Sequence, residues 1–148
     1  MSATPAFSTQ VIGQTEKALN AILGRLLAGT GLTEPQWVTL TLTAASGGTT
    51  GRDQLVGRVA GALKVSQEAA QEHITELAAT QLLQDAPAGD GSPVQLTEAG
   101  QQLYSQVRTT VTQITQRLWG DLPAEDLATA ARVLSTVTTR ANAELANL

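Results

Sequence analysis

The sequence predicts a mainly α-helical chain with one small β-hairpin. Apolar residues recur at helical spacing over most of its 148 residues, the pattern of helices that bury one face. Capping residues and Gly or Pro divide these stretches into successive segments. A turn-rich run, PAGDGSP at residues 87–93, lies between two short segments able to pair as strands. Hydrophobic residues make up 42% of the chain and aromatics only 3%, so the core has to be built from Leu, Val, Ile and Ala, which suits helix packing. A chain of this length fits one domain and can bury about two-thirds of its unfolded surface.

The first helix is expected over residues 8–27, where Val11, Ile12, Ala18, Leu19, Ile22, Leu23, Leu26 and Leu27 form a stripe wide enough to meet more than one neighbour. Gly29-Thr30-Gly31 ends it. Thr33-Glu34-Pro35-Gln36 then reads as a capping box with Pro in the first turn. It opens a second helix with Trp37, Leu40 and Ala44 on its apolar side. Ser46 to Gly51 (SGGTTG) is expected to be a flexible connector. It is not a phosphate loop, because that motif needs Gly-Lys-Ser/Thr and no Lys occurs between Lys17 and Lys64.

A third helix runs from about Arg52 to Leu63 on Leu55, Val59 and Leu63. Ser66 is a good N-cap for a fourth. In that helix Ala70, Ile74 and Leu77 share the packed face, while Gln67, Glu68, Gln71, Glu72 and Thr75 point away from it. Strands beginning at Leu82-Leu83 and returning at Val94-Gln95-Leu96 flank the turn-rich run as a wing. Thr97 caps a long helix carrying Leu103, Val107, Val111, Ile114 and Leu118, interrupted at Gly120.

After Pro123 a last helix places Leu127, Leu134, Ala141 and Leu148 seven residues apart, supported by Ala130 and Val137. Such a seam suits pairing with another helix. Intrachain packing is the plainer use of it, but little else in the chain remains to cover the terminal helices, so self-association is favoured. The fold class is therefore a winged helix-turn-helix core flanked by N- and C-terminal helices.

Composition closes several function classes. There is no Cys, which removes thiol redox sensing, disulfides and Cys-based metal sites. The one histidine, His73, makes a dedicated zinc or iron site unexpected, and no cofactor is expected. His73 lies nearer the packed than the exposed side of its helix, which fits a buried or boundary residue better than a base or ligand. No nucleophile elbow, paired His and carboxylate or metal cluster is present, so no enzyme is expected. Residues 1–10 lack a positive n-region and an apolar h-region, and no run of 18 apolar residues follows; a cytoplasmic protein without membrane contact is expected.

Charge points away from nucleic acid. The formal net charge is −4 and the pI about 4.8, whereas nucleic-acid domains are usually basic. Residues 30–97 carry Arg52, Arg58 and Lys64 against Glu34, Asp53, Glu68, Glu72, Glu76, Asp85 and Asp90, which is the whole of the excess.

Against this stands a resemblance to the MarR family of winged-helix regulators. It is carried by Leu32-Thr33-x-x-Gln36-Trp37-x-x-Leu40, Val59-Ala60-x-x-Leu63-x-Val65-Ser66, Ile74-x-x-Leu77, Leu82-Leu83 and Leu96-Thr97-Glu98-Ala99-Gly100, in that order and across nearly the whole chain. The resemblance implies one intertwined domain: a dimerisation helix at 1–29, a DNA-binding winged region at 30–100 and dimerisation helices at 101–148. It also implies a homodimer on a pseudo-palindromic double-stranded operator, with repression the expected mode and a small aromatic or apolar effector as a possible partner. Val11, Leu19, Leu127, Leu134, Ala141 and Leu148 are the interface candidates. Trp37, with Ile22 and Leu26, is the effector-pocket candidate, core packing being the simpler role for Trp37.

The departures shape the mechanism. Family members usually carry basic residues in the recognition helix and an Asp-x-Arg motif in the wing; the corresponding positions here look like Glu72, Glu76 and Asp90-Gly91-Ser92. No Lys or Arg occurs from residue 65 to 107. If DNA is bound, Gln67, Gln71, Thr75 and Glu68 or Glu72 read bases. Arg52, Arg58, Lys64 and helix N-termini, with Ser66 at one of them, hold phosphates. The alternative is a winged scaffold with weakened or lost DNA binding that senses a ligand or docks a protein.

Overall fold

A computed structural model describes residues 4–86 and 93–148. Its elements run α1 (Thr9–Leu27), α2 (Glu34–Ala45), β1 (Thr49–Gly51), α3 (Arg52–Leu63), α4 (Gln67–Ala79), β2 (Leu83–Asp85), β3 (Pro93–Leu96), α5 (Glu98–Trp119) and α6 (Ala124–Ala146). Helix starts follow the capping chemistry. The Ser8 hydroxyl accepts from the Val11 amide at 3.2 Å, and the Ser66 hydroxyl accepts from the Ala69 amide at 3.1 Å. At α2 the Thr33 hydroxyl accepts from the Gln36 amide at 3.3 Å while Gln36 Oε1 accepts from the Thr33 amide at 3.1 Å. This reciprocal pair satisfies two amides that a helix start leaves orphaned.

The expected connector at 46–51 is instead built structure. Gly47 and Gly48 hold φ of 84° and 91°, left-handed values that only glycine adopts at little cost. Their amides donate to the carbonyls of Ala44 and Thr43, both at 3.0 Å, and so close the end of α2. The chain leaves this turn as β1, which was not foreseen because three residues carry no periodicity. The sheet order is β1-β3-β2, antiparallel throughout, with Thr50 opposite Val94 and Leu83 opposite Leu96. The wing is thus a hairpin widened by a third strand. Its expected tip, 87–92, lies outside the described residues.

The core of the first compact unit, Met1–Val111, gathers Leu27, Trp37, Leu40, Leu55, Val59, Ala70, Ile74, Leu77, Leu83, Val94 and Val107. On α2 Trp37 and Leu40 are buried as expected, but Ala44 is only half-buried. Thr39 and Thr43 are fully buried in place of Ala44. Their hydroxyls donate back to the carbonyls of Pro35 and Thr39, each at 2.8 Å, so the side chains enter the core with their polar atoms satisfied.

Helix α4 ends in a Schellman turn. The Leu82 amide donates to Leu77 O at 2.9 Å and the Gln81 amide to Ala78 O at 3.0 Å, with Gln81 at φ 66°. A non-glycine residue is strained there. Gln81→Gly is therefore expected to raise stability by about 0.5–1 kcal/mol, read as a higher urea midpoint at unchanged slope.

The second unit, Thr112–Leu148, holds the end of α5 and all of α6. No residue of α6 is buried, and Leu134 and Leu145 are 43% and 55% exposed. Leu127 and Val137 are half-buried, while Ala141 is exposed. Leu148 lies beyond the C-cap Asn147, so the helical part of the heptad seam has three members, Leu127, Leu134 and Ala141.

Candidate nucleic-acid interface

The link between α3 and α4 is two residues longer than a simple cap. Lys64 closes α3 in the left-handed conformation at φ 56°, the Val65 amide donates to Ala60 O at 3.1 Å, and Ser66 starts α4. That turn sets α4 against α2, α3 and β2 through Ala70, Ile74 and Leu77, each fully buried. The opposite side is polar. Gln67, Glu68, Glu72, Thr75 and Glu76 are exposed.

Gln71 departs from the expected outward set: it is half-buried, and its Nε2 donates to Thr75 Oγ1 at 3.5 Å. At 100° per residue, measured from the centre of the face set by Ala70, Ile74 and Leu77, Gln71 falls about 95° away, on the flank of the helix, whereas Glu72 and Glu68 fall about 165° and 155° away and Glu76 about 125°. His73 is a boundary residue, 19% exposed at its side chain, with Nδ1 2.9 Å from Glu76 Oε1. Among the described residues Gln67, Glu68 and Glu72 make no side-chain hydrogen bond or ion pair. The intrahelical contacts thus leave two carboxylates and one amide unengaged, all in the N-terminal half of α4.

The cations expected to meet phosphates are differently placed. Arg52, first residue of α3, pairs with Asp85 of β2 at 2.8 Å. Arg58 Nη1 donates to Ser46 Oγ at 2.6 Å. Both contacts tie α3 to the segments that bound the sheet, and residues 33 and 12 positions apart in sequence gave no local signal of them. Lys64 is exposed and, among the described residues, unpaired. A shallow groove beside α4 is lined by Arg52, Thr75, Gln81, Gln84 and Asp85. The wing position of Asp90-Gly91-Ser92 lies outside the described residues.

Trp37 is a core residue, 7% exposed, with its ring stacked on Tyr104 of α5 at a centroid distance of 5.5 Å. Tyr104 was missed as its partner, although its position four residues after Gly100 and three before Val107 places it on the packed side of α5. Ile22 and Leu26 are half-buried on α1, as is Val11, while Leu19 is 37% exposed.

Several solved structures share this fold. A MarR family transcriptional regulator from Silicibacter pomeroyi superposes with a TM-score of 0.75 at 18% identity, over 90% of this chain and 88% of that one. A mutant MarR from E. coli complexed with operator DNA gives 0.69 at 20% identity, over 86% and 91% of the two chains. Ligand-free NadR gives 0.72 at 20% identity, over 91% and 99%. No family model and no curated protein sequence matches the chain. The fold is accordingly that of the MarR-type winged helix, as the sequence resemblance implied.

Proposed function

We propose that this protein is a MarR-type transcriptional regulator, a cytoplasmic homodimer that binds a pseudo-palindromic double-stranded operator through α4 and represses from it. The observation that carries this reading is α4 itself: fully packed on one side, polar and unengaged on the other, beside a β-hairpin, in a fold shared with a MarR mutant complexed with operator DNA. The exposed leucines of α6 support dimerisation, since a second copy would remove them from water. Trp37, Ile22 and Leu26 remain the candidates for a small aromatic or apolar effector. Among the described residues no helix is long and apolar enough to cross a membrane.

Phosphate affinity is expected to be modest. Lys64 is the unpaired cation of the described winged region, while Arg52 must exchange Asp85 for a phosphate and Arg58 must exchange Ser46. In a dimer, Lys64→Ala should weaken binding to all sequences alike and flatten the salt dependence by about 2 in log–log slope. Asp85→Asn should act in the opposite direction by releasing Arg52. Fluorescence anisotropy on operator and random duplexes at several salt concentrations checks both.

The exposed Glu68, Glu72 and Glu76 favour a second reading, in which the scaffold senses a ligand or docks a protein and has lost DNA. Binding of the full-length protein to DNA upstream of its own gene, against random competitor, separates the two. Absence of any sequence preference at low salt would falsify the first.

A further inference from the structure

We infer that Glu72, with Glu68 one turn before it, reads cytosine in the major groove and sets operator specificity by rejecting other bases. The inference rests on the DNA-binding reading above. Glu72 and Glu68 lie nearest the outward axis of α4, four residues apart on one ridge, in the half of the helix that a helix-turn-helix presents to base edges. Neither has a side-chain partner among the described residues, whereas Glu76 is held by His73 and Gln71 by Thr75.

An ionised carboxylate only accepts hydrogen bonds. In the major groove guanine offers two acceptors, thymine an acceptor and a methyl group, and adenine a donor beside an acceptor; cytosine offers the N4 amino donor alone. A carboxylate facing guanine or thymine is therefore opposed by acceptors with no donor to pair with, and one facing adenine meets the N7 acceptor beside the N6 donor, in a groove already walled by phosphates. Discrimination arises chiefly from that repulsion. Such a reader differs from one using Arg on guanine, because its carboxylates weaken binding to DNA in general and recover affinity best where cytosine, whose edge is a donor alone, stands opposite.

The test selects duplexes from a randomised pool with the full-length protein at low salt, then measures affinity for each base substitution at every enriched position. Wild type should enrich cytosine within each half-site, and a C·G to T·A change there should weaken binding roughly 5- to 150-fold. Glu72→Ala should erase the preference at one such pair while tightening binding to random DNA. Glu72→Gln should move the preference at that pair from cytosine to adenine, whose donor and acceptor an amide matches. Enriched duplexes with no cytosine preference, or a Glu72→Ala protein that discriminates as wild type does, would overturn the inference and leave the DNA-binding reading standing. Failure to enrich any duplex would overturn both.

Discussion

Gly100→Ala is expected to destabilise the protein by about 3 kcal/mol, measured as loss of urea midpoint at unchanged slope. Gly100 is buried in the first turn of α5, and a Cβ built on it overlaps the Leu82 carbonyl oxygen and stands 3.1 Å from the carbonyl carbon. The obstacle is backbone, so no flexible side chain can yield. Both segments are also pinned. The Thr97 amide donates to Leu82 O at 3.1 Å, the Thr97 hydroxyl donates to Gln81 O at 2.7 Å and accepts from the Gly100 amide at 2.9 Å, and the Leu82 amide is committed to the Schellman turn. The methyl group therefore has to push α5 away from the exit of α4, breaking that bond set. A change under about 0.5 kcal/mol, the range of neutral surface substitutions, would show that the crossing is looser than described.

Leu77→Ala is expected to cost a further-reaching 2–5 kcal/mol. Leu77 is fully buried, and its carbonyl accepts the closing bond of α4. Truncation leaves a cavity at the point where α4 rests on the core, next to Ile74 and Ala70, and neighbouring leucines relax only partly into such a space. The same residue aligns Glu68 and Glu72 through the helix it anchors, so DNA affinity should fall more than the folded fraction alone explains. Unfolding monitored by tryptophan fluorescence, alongside anisotropy at a temperature where the variant remains folded, separates the two effects. Equal losses in both would confine Leu77 to stability.

The helices were legible because their signals are local. Ser8, Thr33 and Ser66 cap helices whose apolar residues keep one period, and each hydroxyl makes the bond its position calls for. What escaped the sequence depends on tertiary pairing. Strand β1 exists because β3 lies beside it, and Gly47-Gly48 looks flexible in sequence although its left-handed backbone makes it a fixed turn. Thr39 and Thr43 enter the core because their hydroxyls bond to the preceding turn, which residue type alone does not announce. The candidate interface was legible in residue type but not in engagement. A count of cations treats Arg52, Arg58 and Lys64 alike, yet two of them are occupied by Asp85 and Ser46. The amide at Gln71 likewise turned out to flank α4 rather than face outward, which shifts the reading surface toward the carboxylates.

The salt dependence of sequence-preferring binding tests the central claim most directly. Affinity for DNA upstream of the protein's own gene, with random DNA as competitor, should be measured from low to physiological salt. Preference for that DNA with a log–log slope between about −2 and −5 is expected, because a dimer offers one to three cations per subunit at about 0.9 per phosphate contact. No preference at the lowest salt would contradict DNA recognition by α4, and a slope near −10, the value of a strongly basic contact surface, would contradict recognition with so few phosphate contacts.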